Sequence, residues 1–208
     1  MVAFCIVKGD NNILTIKPGA QMTVERGSSV TFKNLRVKGM QDTNITCSDS
    51  AGLVCFDNVY ATLADDFYFT KGSFEVDYKL KMFGAHRFHY QSDQVSLIDR
   101  GSRMHLSPGV TLKYCPPVPL RTLIQLADAE STLELDGASL HSTTTGLQLT
   151  TGTLEIKGKC FLTSDATCKA EGIIFGDGIS ATNDLTLQVK PESSLKLTAG
   201  HLVYKNLE

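Results

Sequence analysis

The chain has 208 residues, 42% apolar and 20% charged, with a formal net charge of −2 and no Trp. That balance excludes a disordered chain, and the lack of a basic excess argues against nucleic acid or an anionic membrane surface as a partner. No apolar run approaches the ~18–20 residues needed to span a bilayer, so no membrane insertion is expected.

The opening Met1–Val7 is too short for a secretory leader and lacks its basic start. Short pieces of alternating apolar and polar residues follow: Leu14-Thr15-Ile16, Met22-Thr23-Val24, Val30-Thr31-Phe32 and Leu35-Arg36-Val37. Alternation with period two marks a strand with one buried face. Turn residues stand between these pieces, as in Lys17-Pro18-Gly19 and Arg26-Gly27-Ser28-Ser29. Asn44-Ile45-Thr46 fits a glycosylation acceptor, which matters only on a eukaryotic secretory route. Further on, Leu120, Leu123, Ile124 and Ala127 carry helical spacing, but Leu123–Leu126 aligns with Leu97–Arg100 and reads as strand.

Apolar–X–apolar triplets begin at Val30, Val54, Phe74, Met104, Leu133, Leu154, Ile173 and Leu195, about every 23 residues. Longer phrases recur too: Ile16–Val24, Leu106–Tyr114 and Val189–Leu197 each run apolar, X, Pro-containing turn, then alternating strand. A repeat of this size, in which one unit cannot bury its apolar face alone, is the mark of a solenoid. The expected fold is all-β: a single-stranded parallel β-helix of about 8–9 coils of roughly 20–24 residues. It is read as one continuous domain over residues 1–208, and as a segment of something longer because strand-like sequence reaches almost to both ends. End-to-end or lateral self-association is an expectation of open sheet edges.

These triplets and their glycine-bearing turns resemble the right-handed β-helix proteins: pectin-lyase-like polysaccharide enzymes, phage tailspikes, and the passenger stalks of bacterial surface and autotransporter proteins. The resemblance is one of architecture. It implies a secreted or cell-surface location and, as the first expectation, a non-catalytic structural or adhesive module displaying loops, with a carbohydrate or another protein as partner. The alternative it implies is a polysaccharide-active enzyme or carbohydrate-binding relative. The Asn-Thr-Asp, Asp-Asp and Gly-His-Gly series of the polygalacturonases is missing, Asp65-Asp66 being the only acidic doublet.

If the apolar triplet members face inward, the middle residues Thr31, Cys55, Glu75, His105, Glu134, Glu155, Ile174 and Lys196 form an outer ladder. His105, Glu134 and Glu155 fall on successive coils. Two stacked carboxylates repel and can leave an acid beside a base, or the trio can offer oxygens to a hard cation such as calcium. The ordinary alternative is a solvated charged strand. Two long gaps bracket Met104, and the first carries His86, Arg87, His89, Tyr90 and Arg103, a set suited to gripping sugar or a protein loop. The second carries Cys115-Pro116-Pro117-Val118-Pro119, a stiff detour. Among six cysteines, the pairs Cys47/Cys55 and Cys160/Cys168 share a spacing suited to a bridge, though free buried thiols explain them equally. No zinc-type Cys/His spacing and no cofactor fingerprint appears, so no metal and no cofactor is expected.

Overall fold

The computed structural model describes residues 3–179 and 185–205, leaving Met1 and Val2 of the opening segment outside. The described chain is an all-β parallel β-solenoid of about seven turns. Among the described residues every strand pair is parallel, and the one helical element is a single 3-10 turn, Lys169–Glu171. Each turn presents three faces.

The first face stacks β1 (Phe4–Lys8), the starts of β4 (Ser29–Asp42), β6 (Leu53–Phe69) and β7 (Ser73–Phe83), then β9 (Ser96–Ile98) and β12 (Ile124–Leu126). A separate sheet of β15 (Leu147–Leu149), β18 (Ile173–Phe175) and β21 (Leu202–Tyr204) continues it. The second face stacks β2 (Ile13–Thr15), the middle of β4 and β6, the end of β7, and then β10 (Arg103–Leu106), β13 (Thr132–Asp136), β16 (Thr153–Lys157) and β19 (Thr186–Val189). The third face holds β3 (Met22–Val24), β5 (Ile45–Cys47), the end of β6, β8 (Arg87–Tyr90), β11 (Thr111–Tyr114), β14 (Ser139–Ser142), β17 (Lys159–Ser164) and β20 (Ser194–Ala199).

Inward positions stack rung over rung. On the second face Leu80, Met104, Leu133 and Leu154 form one buried column, and Met82, Leu106, Leu135 and Ile156 form the next. Each such side chain contributes roughly 1.5–3 kcal/mol on burial, before chain entropy is subtracted. The third face supplies aromatics: Phe69 stacks on Tyr90 at 6.3 Å, and Tyr90 on Tyr114 at 5.7 Å. Leu187 and Val189, which continue the inward columns of Leu154 and Ile156, are exposed because a rung is covered only when it has a neighbour on both sides, whereas Phe4 and Ile6 are exposed because they pair with the outward Ser29 and Thr31.

The repeated phrases mark corners between the second and third faces. In Lys17–Ala20, Ser107–Val110 and Lys190–Ser193 the fourth N–H donates to the first carbonyl, at 3.0, 3.1 and 3.2 Å. Pro takes the second position, and the third has positive φ: 79° at Gly19, 84° at Gly109 and 59° at Glu192. That is the geometry of a type II turn. Another corner, from first face to second, uses Asn11, Asn34 and Asn58 in the left-handed region, with Asn58 Nδ2 donating to Asn34 Oδ1 at 2.8 Å.

Several expectations change. The eight triplets do not form one ladder: Val30, Val54, Phe74 and Ile173 lie on the first face, Met104, Leu133 and Leu154 on the second, and Leu195 on the third. The eight or nine coils expected are present as eight strands on the second and third faces and nine on the first, which together make about seven turns. The gap between Phe74 and Met104 is a change of face and not an insertion, and Phe88–Tyr90 is the third-face strand of an ordinary coil. Ile124–Leu126 is strand, as expected, but it pairs with Ser96–Ile98, two residues out of the alignment read from sequence. The Pro-rich detour does lie between strands, joining β11 to β12. All six cysteines are free. Cys47 and Cys160 point into the core, whereas Cys55 is half-buried on the outer ladder and Cys168 is exposed, and neither expected pair is joined in this structure. Asn44 is buried with its amide donating to the Gly39 carbonyl, so the glycosylation acceptor is not presented.

Candidate functional site

Second-face stacking sets His105, Glu134 and Glu155 in register on β10, β13 and β16. The outward residues two positions along, Asp136 and Lys157, stack beside them, and Arg103 stands on the other side of His105. Lys79, Lys81 and Lys190 complete an open, shallow basin.

Glu134 is 3% exposed and sits at the centre. Arg103 Nη1 donates to its Oε2 at 2.7 Å and Lys157 Nζ to its Oε1 at 2.6 Å, with His105 Nδ1 3.0 Å from Oε1. Glu155 takes Arg103 at 3.4 Å, Lys157 at 3.2 Å and Lys190 at 3.4 Å. Burial by itself would push both carboxyls up. The hydrogen bonds from His105, Lys157 and Arg103 outweigh it and hold Glu134 far below the usual carboxylate range. Bonding to Lys157 and the field of Arg103 hold Glu155 below it as well. Lys157 is raised in return, chiefly by its bond to Glu134. The trio comes together as stacking requires, but with both carboxyls held as anions by Arg103, Lys157 and Lys190 and not as an acid beside a base.

The other expected set splits three ways. Tyr90 faces the core, its hydroxyl donating to the Gln94 carbonyl and lying 3.1 Å from Ser96 Oγ, and offers nothing to a ligand. Arg103 belongs to the second-face network. His86, Arg87 and His89 instead join the acidic doublet: His89 Nε2 lies 3.2 Å from Asp66 Oδ2, Arg87 N donates to Asp66 Oδ1 at 2.9 Å, and His86 Nδ1 lies 3.6 Å from Asp65. His89 stacks on Tyr68 at 4.3 Å, and burial lowers its pKa despite Asp66.

Sequence reading missed Asp136, Lys157 and Lys190. For Asp136 and Lys157 the signal was present: each lies two residues beyond an outer-ladder position, so period two returns it to the same face, whereas Lys190 follows Gln188, which only the pairing with Glu155 places on that ladder. On the first face, burial with Asp99 and Asp77 pushes Glu75 up, the one carboxyl shifted upward among those resolved in the described residues. It stands on an open sheet surface beside exposed Asp77.

Comparison with known proteins finds no matching family model, no matching curated protein and no matching solved structure. The class that fold and site define is therefore the parallel β-solenoid itself, with a charged basin on one face.

Proposed function

We propose that the chain is a non-catalytic structural and adhesive module, a β-helical stalk or passenger-like segment that is secreted or displayed at a cell surface. The observation that carries this reading is the state of Glu134 and Glu155. Glycoside cleavage by paired carboxyls needs one of them protonated near neutrality. Here both are held as anions by Arg103, Lys157 and Lys190, so neither can donate a proton to a leaving group. The corners are mostly tight turns, which favours binding of carbohydrate or protein across the rigid faces over binding by displayed loops. End-to-end or lateral self-association belongs to the same reading, as for any rod with open sheet edges.

The enzyme alternative keeps one supporting observation, the raised carboxyl of Glu75 beside Asp77 and Asp99. A panel of polysaccharides, assayed for both retention and cleavage, separates the readings. Wild type, Glu134→Gln, Glu155→Gln and Glu75→Gln are expected to show no turnover, with any binding persisting in Glu75→Gln. Cleavage by wild type that disappears in any of the three would overturn the proposal in favour of the enzyme.

A further inference from the structure

We propose that His105 Nε2 and the Asp136 carboxylate hold a divalent transition-metal ion of the zinc type on the second face, with Glu134 fixing the imidazole from behind. The inference is independent of the adhesive role and starts from a polar atom without a partner. His105 is 6% exposed, and its Nε2 is one of two buried side-chain polar atoms among the described residues that lack a hydrogen bond, Ser107 Oγ being the other. Native structures rarely leave such an atom uncompensated, because its lost hydration costs about 1–3 kcal/mol.

The tautomer follows from the opposite side of the ring. Glu134 takes donors from Arg103 and Lys157 and its Oε1 lies 3.0 Å from Nδ1, so Nδ1 is the nitrogen that carries the proton toward it. In the neutral ring this leaves Nε2 as a bare lone pair. It faces Asp136 Oδ2 at 3.7 Å, too far for a hydrogen bond, and with a carboxylate lone pair opposite. Two donors of electron density aimed at one gap call for a cation between them. Bonds of 2.0–2.1 Å in a tetrahedral site put two ligand atoms about 3.3–3.4 Å apart, so the gap closes around an ion with a shift of a few tenths of an ångström. A carboxylate behind a ligating imidazole is the arrangement that orients such ligands and raises their basicity.

The charge pattern selects the ligands. Glu134 and Glu155 are spent on Arg103, Lys157 and Lys190. Asp136 has no Lys or Arg within ion-pair distance among the described residues, and at 37% side-chain exposure it leaves a path for the ion and room for water ligands. His105, Glu134 and Asp136 bring ligand atoms within 4.8 Å of one another. Calcium fits poorly, since it needs six to eight oxygens and only Asp136 has oxygens to spare. An imidazole nitrogen with one carboxylate suits zinc, nickel or copper. Lys79 and Lys81 line the same basin and oppose the ion, but their ammonium groups lie over the Tyr60 and Phe83 rings, at 5.4 and 5.2 Å.

The test uses the full chain with Cys5→Ser and Cys168→Ser, which removes the exposed thiols. Calorimetric titration with zinc, and cobalt titration followed by visible absorption, are expected to show one saturable site. His105→Ala and Asp136→Ala should each weaken it at least tenfold, while His86→Ala, in the separate Asp65/Asp66 cluster, leaves it unchanged. Zinc should also move the Nε2 nitrogen resonance of His105 and raise the Tm of the parent but not of Asp136→Ala. Should His105→Ala fail to fold, Asp136→Ala decides, because its side chain reaches solvent. Absence of binding in the parent, or a site that survives both substitutions or is lost with His86→Ala, overturns the proposal.

Discussion

Glu134→Gln removes one charge from the most buried ion network of the solenoid while keeping the shape of the side chain. In the native protein Glu134 faces Arg103, Lys157 and His105, all within 3.0 Å. Removing one partner of a buried ion pair costs about 3–5 kcal/mol when the other is left dry. Here the side chains of Arg103 and Lys157 are 37% and 40% exposed and recover part of their hydration, and Glu155 still pairs with both. The expected loss is therefore about 2–3 kcal/mol, which for a chain of this length lowers the Tm by roughly 4–12 °C. The folded pKa of Glu134 lies below its unfolded value of about 4.3. Its contribution is thus complete above that value and is lost as pH falls through the folded pKa. Thermal melts by circular dichroism should show a wide gap between wild type and Glu134→Gln near pH 7, narrowing toward pH 3. Glu75→Gln supplies the opposite sign: a raised folded pKa means that ionisation opposes folding at neutral pH, so this variant should melt no lower than wild type. A Glu134→Gln variant that melts with wild type near pH 7, or a gap that is the same near pH 3, would refute the reasoning.

Two further outcomes are open to simple measurement. Tyr78 occupies the corner position that Asn34 and Asn58 fill on the two preceding coils, at φ 78° and 66% exposed as a residue. Asn tolerates that backbone better than a bulky residue, so Tyr78→Asn should gain about 1 kcal/mol, and a lower Tm would contradict the corner alignment. Native protein treated with a thiol reagent at mildly alkaline pH should label Cys5 and Cys168 quickly. Burial pushes the Cys47 and Cys55 thiols up to about 11, and the Cys160 thiol is buried with the Leu135 and Lys157 carbonyls as its alternative acceptors, so these should react slowly. Denaturation without reductant should expose all six, and a lower count would reveal a bridge.

The rung itself was legible in the chain. Period-two alternation and recurrent Pro-containing corners are local properties, and a strand that buries one face by stacking on its own kind needs no more information than that. The corner phrases Ile16–Val24, Leu106–Tyr114 and Val189–Leu197 are equivalent in space as they are in sequence. His105, Glu134 and Glu155 stack as alternation implies, because Met104, Leu133 and Leu154 share one column. What alternation cannot say is which face a triplet occupies. Every face carries the same apolar–X–apolar pattern, so a stretch such as Phe74 to Met104 looks like a long coil when it is a change of face. The chemical state of the outer ladder was equally out of reach. Whether Glu134 is an acid, a free anion or a locked one depends on Arg103, which precedes it by a coil, and on Lys157, which follows by a coil. Tyr90 and His89 are neighbours in sequence, yet one closes the core and the other meets Asp66. Local pattern determined the rod and its inward rows; only the stacking of coils, which joins residues more than twenty positions apart, decided which charges meet and what they can bind.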